Sequence, residues 1–465
     1  MRKEKETIKI AYLKNVDIDQ VVERHIREVC FQTEIDPSTV TCSGDQNPVI
    51  TTVKAYHKAN VTITKQKYMF LMHIIITRCM ESNKNTCTLN STYFTHHIFH
   101  DQFTAMIYNL CQMDIISGGS YSVGSESTSY CLMDWNVGYT ESSNVNYIKW
   151  SKILAQHAKD NKKYKKSAFT DQYNKSLKEV RLVDRDGALS YINDHFNKES
   201  HEYHYNIRFI DNIDQVNKGI YSIDDQGRIY HILTSLPKML RPYYNIRYEF
   251  DIANSHPVLF NNILINYYNI NNNLLNVINK IINNNNSIYH YDSEYLHNEL
   301  KTNNIQDCIF DDVLEYIVKT QQGKFYDDFC VIFNDQDRSE VKTKLFQHVF
   351  YSHLQANNRY RTKYLKAFIE KYPHVWKVIY DAKVKTEDKL PHKMMSLESF
   401  LFRPILKDCW KKGWKAVNIH DALVILDCKE NEGVTGDDVE EIIKRHYQKN
   451  GLYPTVKAEI GGDDS

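Results

Sequence analysis

The chain has 465 residues, 42% hydrophobic and 12% aromatic, a composition that excludes disorder throughout and gives room for two to three domains. Its 58 Lys and Arg balance 58 Asp and Glu, so it carries no basic coat or charged tail of the kind that marks an unspecialised polyanion binder. The opening MRKEKETIKIAYLKN lacks an apolar core of signal-peptide length, and no stretch approaches the roughly 18 uninterrupted apolar residues of a membrane span. The expectation is therefore a soluble, intracellular protein with no membrane partner.

Ten Cys are scattered singly, none forming a Cys-x-x-Cys pair, which points to reduced thiols in the core and away from a structural zinc site. Residues 1–65 read as an N-terminal extension. In residues 66–135, KYMFLMHIIITRCM reads as a helix, TCTLN as a short strand, and STYFTHHIFH and QFTAMIYNLCQMDII as two further helices. Gly118-Gly119 breaks the chain before two Tyr-bearing strands that form a hairpin around Val123-Gly124-Ser125. That order is the order of a winged helix-turn-helix. The two helices over 91–115 contain no Lys or Arg, so DNA binding and a structural or protein-contact role both stay open for this module. His96, His97 and His100 lie together without a fourth candidate ligand, and polar helix residues are the better reading of them.

Residues 148–204 are Lys-rich and helical in pattern, including KDNKKYKKS at 159–167, and read either as a solvated connector or as a thumb that tracks a nucleic-acid backbone. In YNIRYEFDIANSHPVLFNNIL, Tyr248, Phe250 and Ile252 alternate with Glu249, Asp251 and Ala253, a strand running into the turn Asn254-Ser255-His256-Pro257 and an apolar helix. An Asp at the end of such a strand suits a divalent cation, although an Asp there also simply caps the next helix. Half of the residues from Asn261 to Asn286 are Asn, a biased run that reads as an insertion around 261–290. In DRSEVKTKLFQHVFYS, Arg338, Lys342, Phe346 and Phe350 recur every four residues and share one stripe of a helix. Two cations followed by two aromatics suit a helix that holds a triphosphate at one end and stacks a base at the other. In AVNIHDALVILD, the apolar arms around His420-Asp421 place a polar pair at the bend of a buried hairpin, either an ordinary turn Asp or a carboxylate whose burial asks for a partner.

In this order, strand Asp, helix with Arg, Lys and two Phe, then hairpin His-Asp, the three segments resemble motifs A, B and C of the family A DNA polymerases and the related single-subunit phage RNA polymerases. The resemblance covers roughly residues 205–465. It is nearest to the divergent transposon- and virus-associated polymerases, in which an Asn-Ser-x-Pro turn follows the motif A Asp and a Thr-x-Leu-Pro-like stretch precedes it, as Thr234-Ser235-Leu236-Pro237 does here. The resemblance implies a multidomain α+β protein, with a winged helix followed by a right-hand polymerase palm of antiparallel strands and helical fingers and thumb. It implies Asp251 and Asp421 as ligands of two Mg²⁺ ions, for which Mn²⁺ can substitute. It makes Arg338 and Lys342 the catalytic triphosphate contacts, and places Phe346, His256 and either Phe350 or Tyr351 around the nucleotide. The Gly-Arg-led GRIYHILTSLPKMLRPYY makes Arg228, Lys238 and Arg241, with His420, the primer-template contacts.

The implied activity is DNA-directed DNA synthesis by a two-metal mechanism in replication of a virus, plasmid or transposon. Primer-template DNA and dNTPs, or NTPs, are the implied partners, and a helicase or other replication protein is a further one. Two departures bear on it: His256 stands where a ribonucleotide-excluding Glu is usual, and Ala422 where a carboxylate commonly follows His-Asp. A primase or RNA polymerase on the same core, and a non-catalytic DNA-binding protein with a polymerase-like fold, are the alternatives. The segment preceding the palm, less the winged helix, is too short for a full proofreading exonuclease and shows no convincing Asp-x-Glu metal site, and no such activity is expected.

Overall fold

The apolar run from Tyr68 to Met80 supplies buried residues to nearly every face of its helix, which is how a helix at the centre of a small domain reads. The structure is a computed structural model and describes residues 7–31, 61–82, 84–121, 127–160, 164–211, 219–270, 274–276, 278–279, 310–352, 362–385 and 390–460. It is a mixed α+β protein in which helices predominate and the sheets are small and antiparallel. Two compact units are present, Met1–Lys162 with Asp184–Val216, and Lys163–Val183 with Asn217–Ser465.

In the first unit β1 (Ile8–Leu13) leads to α1 (Ile18–Phe31), and α2 (Val61–Glu81) is the long central helix. A short strand, β2 (Cys87–Asn90), precedes a helical stretch that the sequence reads as two plain helices. It instead starts with one α-turn at Ser91–Phe94, widens to a π-turn at Thr95–Phe99 and tightens at His100–Gln102, where His100 is left-handed. Only then does α3 (Phe103–Gln112) begin, and left-handed Asp114 ends it early, so that Ile116 already belongs to β3 (Ile116–Tyr121). With β4 (Ser127–Leu132) these strands pair in the order β2-β4-β3; the hairpin tip at Val123-Gly124-Ser125 lies outside the described residues. β5 (Val137–Ser142) pairs with β1, and α4 (Val145–Asp160) follows. A buried polar knot ties three helices: the Asn109 amide donates to the Tyr68 hydroxyl and to the Val21 carbonyl, and the same hydroxyl meets His25 Nδ1 at 2.7 Å.

The stretch read as one connector over 148–204 is divided between the units. Its helix α5 (Ala168–Leu177) belongs to the second, whereas α6 (Arg185–His195) and α7 (His201–Asp211) return to the first. Lysines 162 and 163, most of the N-terminal extension and most of the Asn-rich run lie outside the described residues.

The second unit starts with the ribbon β6 (Ser222–Ile223) and β7 (Ile229–Tyr230) and continues into β8 (Ile246–Ile252) and α8 (Ser255–Tyr267). Then come α9 (Asp311–Gln321), α10 (Phe325–Phe333), α11 (Arg338–Leu345), α12 (Lys363–Lys371), α13 (Pro373–Lys385) and α14 (Leu390–Lys411). Aromatic rings from these helices, among them Phe260, Tyr316, Phe325, Phe329, Phe368 and Tyr372, form their common core. The chain closes with β9 (Ala416–Ile419), β10 (Ala422–Leu426), α15 (Gly436–Gln448) and β11 (Val456–Ile460), giving a four-stranded antiparallel sheet in the order β11-β8-β10-β9. No helix among the described residues is long and apolar enough to cross a membrane.

Candidate active site

β8 and β10 are the two inner strands of that sheet, and their register sets Asp251 opposite Ala422. Asp421 is the residue before Ala422, in the tight turn from β9, so acids far apart in the chain arise from neighbouring backbone positions. Both are half-buried. Burial, and after it the Asp421 carboxylate, push Asp251 up to about 7, while Lys342 pulls the other way. Asp421 is raised too, by burial first and then by the negative charge of Glu398, and His256 and Lys342 oppose the shift. Elevation led by burial and reinforced by a neighbouring carboxylate, Asp421 on Asp251 and Glu398 on Asp421, marks a pair of desolvated acids that a cation would stabilise.

The turn at the end of each strand is locally fixed. Asn254 is left-handed, which Asn tolerates, and α8 starts behind it with Pro257 in its first turn, where no backbone N–H is missed. His420 is also left-handed; its carbonyl accepts from the Asn418 amide and its ring lies edge-on to Tyr230. Asn418 is held in turn by Tyr173 of α5, whose hydroxyl lies 3.0 Å from the Asn418 side-chain oxygen and 3.0 Å from His231 Nε2.

α11 is capped by Asp337, which accepts from the N–H groups of Ser339 and Glu340. Arg338 donates to Asp327 at 2.8 Å, to the Gly323 carbonyl at 2.9 Å and to Asn254 at 3.3 Å, which fastens this helix beside the end of β8. Lys342 is exposed, with its ammonium 6.0 Å from the Phe346 ring centre. The single stripe expected from four-residue spacing stops at Phe346. From Phe346 to Phe350 the helix is a π-turn, closed by the Tyr351 N–H donating to the Phe346 carbonyl at 2.8 Å. The extra residue turns Phe350 into the core, where it is 0% exposed, and brings Tyr351 to His256.

His256 is the hub of a chain of contacts. The Tyr351 hydroxyl lies 2.7 Å from its Nδ1, an Arg228 guanidinium nitrogen 3.2 Å from its Nε2, and Phe346 packs edge-on against its ring. Arg228 is clamped by Glu398 through two hydrogen bonds of 2.8 and 2.6 Å. Despite burial, which works in the opposite direction, bonds from His256 and Arg228 hold Glu398 below the usual carboxylate range. The remaining cations expected at a nucleic-acid duplex are also paired within the fold: Arg241 with the buried Glu249, and the largely exposed Lys238 with Glu459.

The structure thus gathers Asp251, Asp421, Lys342, His256, Phe346, Tyr351, Arg228 and His420 at one end of the sheet. It ties Arg338 to the rim, buries Phe350 away from it, and pairs Arg241 and Lys238 with glutamates. Glu398 is the member that motif spacing passes over. Its signal is a carboxylate on an apolar stripe of α14, with Leu390 and Met394 before it and Phe402 and Leu406 beyond, all buried. Among the described residues no group of three or more His, Cys, Asp and Glu forms a metal cage. Comparison with protein-family models, with curated proteins and with solved structures finds no match for the chain.

Proposed function

We infer that the second unit is a template-directed nucleotidyltransferase of the family A polymerase type, with the four-stranded sheet as palm and α9 to α13 as fingers. In the same reading β2 to β4 and the helical stretch 91–112 form a winged helix. The observation that carries this reading is the pairing of β8 with β10, which makes neighbours of Asp251 and Asp421 and leaves their charge unbalanced. Two carboxylates without a third fit Mg²⁺, which takes few protein ligands and completes its shell with substrate phosphates and water. Asp251 and Asp421 would hold the ions. When bound, two such ions lower the pKa of a primer 3′-hydroxyl and neutralise charge on the departing pyrophosphate.

The chain's own groups do the rest. Lys342, solvent-facing and within the field of both acids, neutralises phosphate charge as it develops. Arg338 orients the same phosphates from the rim while remaining fixed to Asn254 and Gly323. Phe346, His256 and Tyr351 form the wall that the nucleotide base and sugar meet. Lys238 is the cation most available to a duplex, since Arg228 and Arg241 must leave buried glutamates to reach a phosphate. DNA synthesis is the primary activity; His256 in place of a Glu is the specific observation that keeps RNA synthesis or priming as the second reading.

Primer extension on DNA and RNA templates, with and without a primer and with dNTPs or NTPs, tests the assignment. Incorporation should require Mg²⁺ or Mn²⁺. Asp421→Ala should lower it by more than the roughly hundredfold typical of groups that only support metal ligands, while DNA affinity stays largely intact. Incorporation undiminished in Asp421→Ala overturns the reading.

A further inference from the structure

Glu398 takes part in no step of the reaction above, yet it is 1% exposed in the interior of the site. A buried carboxylate persists where its partners are fixed, and here they are. Arg228 covers both of its oxygens, and the second oxygen also lies 3.4 Å from His256 Nε2. Gly227, with φ of +86°, lets the preceding turn settle on α14; a Cβ there would sit 3.0 Å from an Arg403 nitrogen and 3.3 Å from the Ser399 side chain. His256 is thus held at both ring nitrogens, by the Tyr351 hydroxyl on one side and by the Glu398–Arg228 pair on the other.

We propose that Glu398 is a positioning residue for sugar discrimination, fixing His256 through Arg228 so that the ring cannot yield to a nucleotide 2′-hydroxyl. The proposal rests on the nucleotidyltransferase reading and deepens it. A wall rejects one extra hydroxyl only if it neither moves nor offers that hydroxyl a hydrogen-bond partner. With Glu398 ionised, Arg228 is neutralised and both nitrogens of His256 are engaged. With the charge removed, the half-buried Arg228 loses the carboxylate that clamps it, and its hold on the Nε2 side of the ring loosens.

The test measures kcat/KM for a dNTP and its matching NTP on a primed template, for the full chain, Glu398→Gln, His256→Ala and the double variant. The native chain should prefer the dNTP. In Glu398→Gln the preference should fall about tenfold, about 1.4 kcal/mol. The double variant should discriminate no less than His256→Ala alone, because both changes act on the same ring. An unchanged preference in Glu398→Gln, or losses that add in the double variant, overturns the inference and leaves the polymerase reading standing. A native chain that uses both sugars equally does the same. No incorporation of either sugar by the native chain overturns the polymerase reading and this inference together. Should Glu398→Gln fail to fold, Arg228→Met with Glu398→Met replaces the ion pair by apolar chains of similar length. It removes both neighbours of Nε2, and should lower the preference at least tenfold.

Discussion

Phe350 and Tyr351 are adjacent in the chain and occupy opposite environments. Phe350 packs edge-on to Phe260 and Phe368 and tilted against Phe346 in the helical core, whereas Tyr351 reaches His256 with its hydroxyl. Phe350→Ala should therefore destabilise the protein by about 3–5 kcal/mol, the cost of emptying a buried aromatic site, as read by chemical denaturation. Tyr351→Phe removes one hydroxyl and should lower stability by only about 1 kcal/mol, yet shift the ratio of dNTP to NTP use. Equal stability losses in the two variants would contradict the assignment of residue 350 to the core and residue 351 to the site. The four-residue spacing of Arg338, Lys342 and Phe346 is visible in the sequence. The widened turn after it is not, because a single extra residue leaves the apolar pattern nearly unchanged.

The π-turn that separates those two residues is stabilised from outside its own helix. Lys383 of α13 is 1% exposed, and its ammonium donates to the carbonyls of Val349 at 2.7 Å and Ser352 at 2.6 Å and to the Ser352 hydroxyl at 3.1 Å. It spans both sides of Phe350-Tyr351, supplying donors to carbonyls that a terminating helix leaves unpaired. Lys383→Met keeps the length and removes the donors, and should lower stability by about 1–3 kcal/mol; denaturation midpoints indistinguishable from native would refute this role. The strands bearing Asp251 and Asp421, and the hairpin at His420, are legible from alternation and from polar residues breaking an apolar run. Their lateral order is not, since β11 at the edge and β10 beside β8 depend on pairing between distant segments. Lys383 and Glu398 each interrupt an apolar helical stripe, a signal open to reading but shared with ordinary surface charges.

Across the whole molecule, each unit buries a neutral histidine. Burial pushes His25 in the first unit and His231 in the second down to about 4, from an ordinary value of 6.5. An unfolded chain takes up a proton on each as pH falls through 6.5, while the folded chain takes none until about 4. Stability is thus fully present above 6.5 and is lost progressively between 6.5 and 4, at about 1.4 kcal/mol per pH unit for each group. Asp251 and Asp421, both raised, gain stability over the same range, so the histidine contribution is read by difference: the melting temperature of His25→Gln should fall less than that of the native chain on acidification from about pH 7 to pH 5, and parallel profiles would contradict neutral burial. The division of the chain into units was the least legible feature, because Lys163–Val183 joins a body whose other residues begin at Asn217. A fragment beginning at residue 217 lacks Tyr173 and so leaves Asn418 and His231 short of a buried partner. It should melt well below the full chain, and equal melting of that fragment would refute the role of α5. The same interleaving governs biosynthesis. Residues 163–183 leave the ribosome before the first unit has its last helices; their contacts at Ile220 and His231 follow first, but β9 emerges only more than two hundred residues later. Nascent chains therefore pass through a long interval in which α5 lacks the strand that completes its packing, a point at which chaperone capture or proteolysis would act.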